Sequence, residues 1–219
     1  MMKKRNWILA AFLLSTSMVA LAQKSAEEPK GKAIVQVFGN FHSGFGHAND
    51  DRGFELDRSY LGYQYDLGHG LEVKGVMDIG QSDDVNDFHR IAYIKNAQIS
   101  WRTGKWTLTG GLISNTQFNV QEKFWGYRYV MKSFQDLYKF GNSADLGVSV
   151  AYKFANWISA DAIVVNGEGY KKVQKNDGLM YGLGTTLTPA KGITMRVYYG
   201  LNEGADETNG TPVTLKQRE

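Results

Sequence analysis

The sequence predicts an all-β fold, an antiparallel transmembrane β-barrel of which about nine strands are present, and three observations predict it. Most of the chain alternates apolar and polar residues with period two, the pattern of strands with one apolar and one wet face. The connections between these segments sort by parity, short after every second strand and long after the others. One stretch, 113–142, has a helical period instead, and a connection of that length in an all-strand chain is uncommon and usually functional.

The N-terminus carries an address. Met1-Met2-Lys3-Lys4-Arg5 precedes an apolar run from Trp7 to Leu14 and an Ala20-Leu21-Ala22 site, so residues 1–22 read as a secretory signal peptide cleaved near Ala22. The run is too short to span a bilayer as a helix, which takes roughly 20 apolar residues. The 219 residues include no cysteine, so an exported fold here is held by its own ladders and packing. The formal charge of +3 resides in Lys3, Lys4 and Arg5; the remainder balances 22 basic against 22 acidic residues. No basic excess is left to suggest nucleic acid as a partner. Mean hydropathy is −0.37, which does not argue against a barrel, because a barrel hides its apolar residues in alternation.

Residues 23–32 form a polar lead, expected to be mobile, and the partial barrel runs over 33–200. The first strand, 33–43, sets Ala33, Val35, Val37 and Phe41 against Gln36, Asn40 and His42. A polar, turn-rich loop (44–53) leads to the second, 54–67, with Leu61, Tyr63, Tyr65 and Leu67 opposite Arg58, Gln64 and Asp66. Gly68-His69-Gly70 turns into the third, 71–79, where Leu71, Val73, Met77 and Ile79 oppose Glu72, Lys74 and Asp78. After the polar loop 80–88, the fourth strand, 89–101, groups Ile91, Tyr93, Ala97, Ile99 and Trp101 against Asn96, Gln98 and Ser100. Lys95 then falls on the apolar face, a defect that a β-bulge would correct.

Arg102–Lys105 turns into a short fifth strand, 106–112. The sixth, 143–154, has the clearest pattern: Ala144, Leu146, Val148, Val150, Tyr152 and Phe154 alternate with Asp145, Gly147, Ser149, Ala151 and Lys153. Ala155-Asn156 leads into the seventh, 157–165. After the loop 166–177 come the eighth, 179–188, with Leu179, Tyr181, Leu183 and Leu187 outward, and, past 189–192, the ninth, 193–200, with Ile193, Met195, Val197 and Tyr199 outward. Residues 201–219 read as a polar loop at a truncated end.

Short turns at one end and long loops at the other are the arrangement of an outer-membrane barrel, whereas a Greek-key sandwich has no reason to sort its loops by parity. Tyr63, Tyr65, Trp101, Trp106, Tyr152, Phe154 and Trp157 cluster beside the short turns, as an aromatic girdle at a bilayer interface would. An open edge in lipid leaves backbone groups unpaired. A closed barrel of ~16 strands, at roughly 20 residues per strand and connection, would need ~150 further residues.

Within 113–142, Val120, Phe124, Tyr127, Met131, Phe134 and Tyr138 recur at steps of three or four. They predict a helical face that docks on the inner wall. Lys123, Arg128, Lys132 and Lys139 against Glu122 and Asp136 then give a local charge of +2 at a constriction, which would favour anions in confined water. On the inward phase of the strands, Arg58, Lys74, Asp145, Lys153 and Arg196 line the interior.

No catalytic constellation stands out. His42, His47, His69 and His89 lie in separate segments without the spacing of metal ligands. No G-x-S-x-G elbow occurs. Asp83-Asp84-Val85-Asn86-Asp87 lacks the spacing of a calcium loop and reads as a solvated turn. The chain is therefore expected to be no enzyme and to carry no metal or cofactor.

The block GLISNTQFNVQEKFWGYRYVMKSFQDLYKFGNSADLGVSVAYKF (111–154) resembles the third-loop region of Bacteroidetes outer-membrane porins, in the wider phosphate-selective porin O and P family. The resemblance extends more loosely over 54–63, 95–97 and 166–170. It implies a 16-stranded barrel, a homotrimer, in the outer membrane of a Gram-negative bacterium, passing small hydrophilic solutes passively, with a possible preference for anions or phosphate. The best-known members line their pores with an arginine ladder and lysines that select phosphate; no such ladder aligns here, where only Arg58 and Arg196 among the strand arginines fall on the inward phase. The alternative is a barrel that acts as a surface adhesin through its long loops.

Overall fold

The structure, a computed structural model, describes residues 30–45, 52–81, 89–128, 130–173, 178–205 and 212–218, with 204–205 and 212–218 described through their backbone alone. The expected signal peptide, most of the lead (23–29), His47 and the acidic turn 83–87 lie outside the described residues.

Ten strands form a single antiparallel sheet in which each neighbour in sequence is a neighbour in space. They are β1 (Gly31–Ser43), β2 (Arg52–Gly68), β3 (Leu71–Gly80), β4 (Ile91–Thr103) and β5 (Trp106–Ser114), then β6 (Ala144–Ala155), β7 (Ile158–Val165), β8 (Met180–Ala190), β9 (Ile193–Ala205) and β10 (Pro212–Arg218). Two helices, α1 (Thr116–Trp125) and α2 (Phe134–Leu137), interrupt the β5–β6 connection. The all-β antiparallel expectation holds. Two boundaries are corrected. β1 begins at Gly31, inside the expected lead, and the expected terminal loop 201–219 contains the end of β9 and all of β10. The polar composition after residue 200 concealed that strand, because a backbone ladder needs no apolar side chains.

The parity of the connections is sharper than the sequence suggested. Those after β2, β4, β6 and β8 are two residues each (69–70, 104–105, 156–157, 191–192), whereas those after β5 and β7 span 115–143 and 166–179. β1 pairs with β2 alone and β10 with β9 alone, so each leaves one side without a ladder among the described residues.

The two faces differ in kind. One presents a lateral row of apolar side chains in register, Trp101 beside Leu108, Leu108 beside Val150, then Ala162, Leu183 and Tyr199 on successive strands. Val148, Leu183 and Val197 on this face are 58%, 62% and 73% exposed. The opposite, inner face buries polar groups: Asp78, Asn96, Ser100, Asp145 and Asp161. It also holds two small apolar clusters, Phe38–Tyr60–Val76 and Ile113–Ile163–Val165–Met180. An apolar face left open and a polar face buried invert the usual arrangement of a protein in water.

The bulge required by Lys95 is present. Val76 pairs with Asn96 and Met77 with Ile94, so Lys95 is the extra residue, and both Lys95 and Asn96 turn inward. The correction is that Ala92 and Ile94 take the exposed phase before the bulge, leaving Ile91 and Tyr93 on the inner side.

Candidate functional site: a basic basin under two inward connections

The β5–β6 connection closes on itself before it crosses the inner face. Asn115 N–H donates to the Ser143 carbonyl at 3.0 Å, joining its two ends. The Asn115 side chain caps α1 by accepting from Gln117 N–H at 3.0 Å, satisfying a donor that the first helical turn leaves unpaired. Phe118, one turn on, is fully buried. From the sheet below, Arg196 donates through Nε to Gln117 Oε1 at 2.8 Å and through its two terminal nitrogens to Asp161 at 2.7 and 2.9 Å. Thr186 Oγ1 accepts a further bond at 2.7 Å. The helix start is thereby tied to β7, β8 and β9. Arg196 is 5% exposed, so it is a buried anchor, which corrects its expected place as an interior-lining charge.

α1 stops at Gly126, whose φ of 68° lies in the left-handed region and whose N–H returns to the Glu122 carbonyl. The helical period read through to Tyr138 is therefore broken there, and α2 is a single turn. Arg128 clasps the two halves together. It donates to Glu122 and forms an ion pair with Asp136 at 2.9 Å, and its side chain is 12% exposed. Of the apolar residues expected to dock, Val120 is half-buried, whereas Phe124, Tyr127, Met131, Phe134 and Tyr138 are exposed. The clasp and the caps fix this connection, and they require only polar partners.

The β7–β8 connection also folds inward, held from β6 by a carboxylate. Asp145 accepts from Gly167 N–H at 2.7 Å, from Gly169 N–H at 3.0 Å and from Leu146 N–H at 2.8 Å. A side chain on Gly169 (φ 84°) would meet the Asn142 carboxamide at 2.5 Å, and Asn142 itself donates to the Gly167 carbonyl at 2.7 Å. The two connections are thus stitched side by side. Asp145, expected as an interior-lining charge, is 5% exposed and serves as this latch.

The latch places Tyr170 across the sheet, where its hydroxyl donates to Asp78 of β3. Arg58 of β2 pairs with the same carboxylate at 3.2 Å. Lys95 Nζ lies 4.7 Å from the centre of the Tyr60 ring and 5.0 Å from that of Tyr170, and donates to Ser143 Oγ at 3.2 Å. Lys171 sits over the Tyr93 ring at 5.0 Å. Burial, reinforced by the bond to Asp78, raises the Tyr170 pKa, so its hydroxyl stays a neutral donor. Burial and then the positive charge of Arg58 lower the Lys171 pKa.

Between the two connections lies a basin of about 390 Å³, lined by six basic side chains and two acidic ones. Arg58 is neutralised by Asp78, and Arg128 by Glu122 and Asp136. Lys132, Lys139, Lys171 and Lys172 make no ion pair with any described residue. Of the acidic pair, Asp136 is held by Arg128, and both Glu168 carboxylate oxygens are buried without a hydrogen bond among the described residues. The basin therefore keeps an excess of positive charge, carried by Lys132, Lys139, Lys171 and Lys172, all of them exposed.

Of the expected constriction residues, the basin gathers Arg128, Lys132, Asp136 and Lys139, together with Arg58 from β2. Glu122 reaches it only through Arg128, and Lys123, exposed at the end of α1, lies outside its lining. Lys74 is half-buried on the inner side of β3. Lys153 lines a separate hollow of about 250 Å³ beside the 156–157 turn. Sequence reasoning missed Lys95, Tyr170, Lys171 and Lys172. For Lys95 the signal was present as the single break in the alternation of β4; for the others there was none, since they stand in a loop without a period. No family model matches this chain, and no curated protein matches it.

Proposed function

We propose that the chain is part of an outer-membrane porin, a passive diffusion channel for small hydrophilic solutes with a preference for anions. The single observation that carries this reading is the basin with four lysines that make no ion pair among the described residues, on the inner face of a sheet whose other face is apolar and open. A lipid environment accounts for the open apolar face, and an aqueous passage accounts for the charged one. The two-residue turns at one end, with Tyr63, Trp101, Trp106, Phe154 and Trp157 exposed beside them, support insertion with the short turns in the periplasm. In a closed barrel of about 16 strands, β1 and β10 would each find a ladder on their second side. The resemblance of residues 111–154 to porins of the phosphate-selective family supports the same assignment and suggests a homotrimer. On this reading, residues 1–22 direct export and are removed near Ala22.

The test is conductance in planar bilayers with a salt gradient, the parent being the closed barrel of which this chain is part. The parent should carry current with a reversal potential on the anion side. Lys132→Glu combined with Lys139→Glu should move it toward cations, because both positions line the basin and neither makes an ion pair among the described residues. Equal reversal potentials in parent and double variant would place the basin off the conduction path, and a parent that carries no current would favour the surface-adhesin reading.

A further inference from the structure

The β7–β8 connection has no helical period and no constriction-like sequence, yet it delivers the side chain that covers Asp78, the most buried carboxylate of the inner face among the described residues. Asp78 is 2% exposed. Its cover comes from Arg58 on one side and from the Tyr170 hydroxyl on the other. Tyr170 reaches it because Asp145, from β6, accepts the backbone N–H groups of Gly167 and Gly169. The Tyr170 N–H also donates to the Ala144 carbonyl at 3.0 Å. The ring then lies against Lys95 and edge-on to Tyr93, with centroids 6.5 Å apart.

From this arrangement we infer that Tyr170 is a selectivity residue of the pore, acting as a shield over Asp78, and that Asp145 is the positioning residue that holds the shield in place. The inference rests on the porin reading and deepens it. A bare carboxylate at this point of the wall would offer passing cations a site and offset the neighbouring positive charge. Covered by a neutral hydroxyl and an aromatic ring and paired with Arg58, it is withdrawn from the solute, leaving Glu168 and the Arg128-bound Asp136 as the carboxylates among the lysines of the basin. The anion preference would then depend on a group that carries no charge.

Two measurements on the same variants test this. The first is the anion-to-cation permeability ratio in planar bilayers. The second is labelling of Asp78 by a water-soluble carbodiimide, read by mass spectrometry on protein folded in lipid vesicles, which needs no current. Tyr170→Ala should lower the permeability ratio by about twofold or more, raise conductance and make Asp78 reactive. Tyr170→Phe keeps the ring and should keep Asp78 unreactive and the ratio near the parent value. Asp145→Ala should reproduce Tyr170→Ala, and the double variant should add nothing to it, since both remove one shield.

A conducting parent whose ratio and Asp78 reactivity are both unchanged in Tyr170→Ala overturns the shield and leaves the porin reading intact. Reactivity gained without a change in ratio overturns the selectivity role alone. A double variant with an effect larger than Tyr170→Ala overturns Asp145 as acting through Tyr170. A parent that carries no current overturns the porin reading and the selectivity role together, and the labelling still decides whether Tyr170 covers Asp78. If Asp145→Ala does not fold, the two Tyr170 variants decide the shield.

Discussion

The two connections that fold over the inner face are fastened in opposite ways. The β5–β6 connection is held by side chains gripping side chains: Arg196 reaches up from β9 to Gln117 while bound to Asp161, and Arg128 draws Glu122 and Asp136 together. The β7–β8 connection is held through its backbone, with the Asp145 carboxylate receiving two glycine N–H groups. A guanidinium clasp can be replaced by another pair of charges at a different position. A carboxylate receiving main-chain donors demands one carboxylate, one turn and glycines at that turn. The longer connection should therefore tolerate sequence change better than the shorter one, except at Arg196.

Substitutions can break this contrast, beginning with the largest effect. Arg196→Ala leaves Asp161, 7% exposed, as a buried charge without its partner and should cost about 3–5 kcal/mol. Urea unfolding in lipid vesicles measures it, and a loss below about 1 kcal/mol would mean that the anchor is not a buried pair. Asp145→Ala comes next, at about 2–3 kcal/mol, because buried N–H groups lose a charged acceptor. Asp145→Asn should recover part of the loss, since one oxygen still accepts. Arg128→Ala should cost only about 1–2 kcal/mol, as Glu122 and Asp136 are partly open to water and can be solvated. If it exceeds Asp145→Ala, the ranking of the two fastenings is reversed.

The smallest effect concerns pH. Burial and the nearby Arg58 charge lower the Lys171 pKa, so this ammonium loses its proton at lower pH than an ordinary lysine. On the proposed porin reading the anion preference should fall earlier as pH rises than an ordinary lysine would allow, and Lys171→Arg, which keeps its charge, should abolish that early step. A reversal potential with the same pH profile in parent and variant would remove Lys171 from the conduction path.

How much of this was legible in the sequence follows from the kind of interaction involved. The outward residues of β6, Leu146 and Val148, could be read because a strand repeats its choice of face every two residues, and one-sided burial makes a slip costly. The inward folding of 115–143 could be anticipated from its length and charges. Its manner of docking could not, because a single residue, Gly126, ends the helix and turns the later aromatic residues away from the wall. Arg196 and Asp145 were legible as inward residues, expected to line the interior, and are instead covered by the connections above them. Phase gives a side chain its direction and carries no information about whether a connection will cover it. Tyr170 and Lys171 depend on where a loop is latched, which joins β6 to β3 over a sequence distance that no local pattern records.

The bulge in β4 also bears on how this wall could change over generations. One added residue in a strand ordinarily exchanges the two faces for every position beyond it. Here Ala92 and Ile94 before the bulge and Ala97, Ile99 and Trp101 after it all stay on the apolar side, and the β4–β5 ladder starts only at Ala97. Deleting Lys95 would leave a strand of plain alternation with the same outward set. Gain or loss of a single codon can therefore add or remove a cation beneath Tyr170 without disturbing the opposite surface, so the charge of the wall and its hydrophobic coat are free to evolve separately at this point.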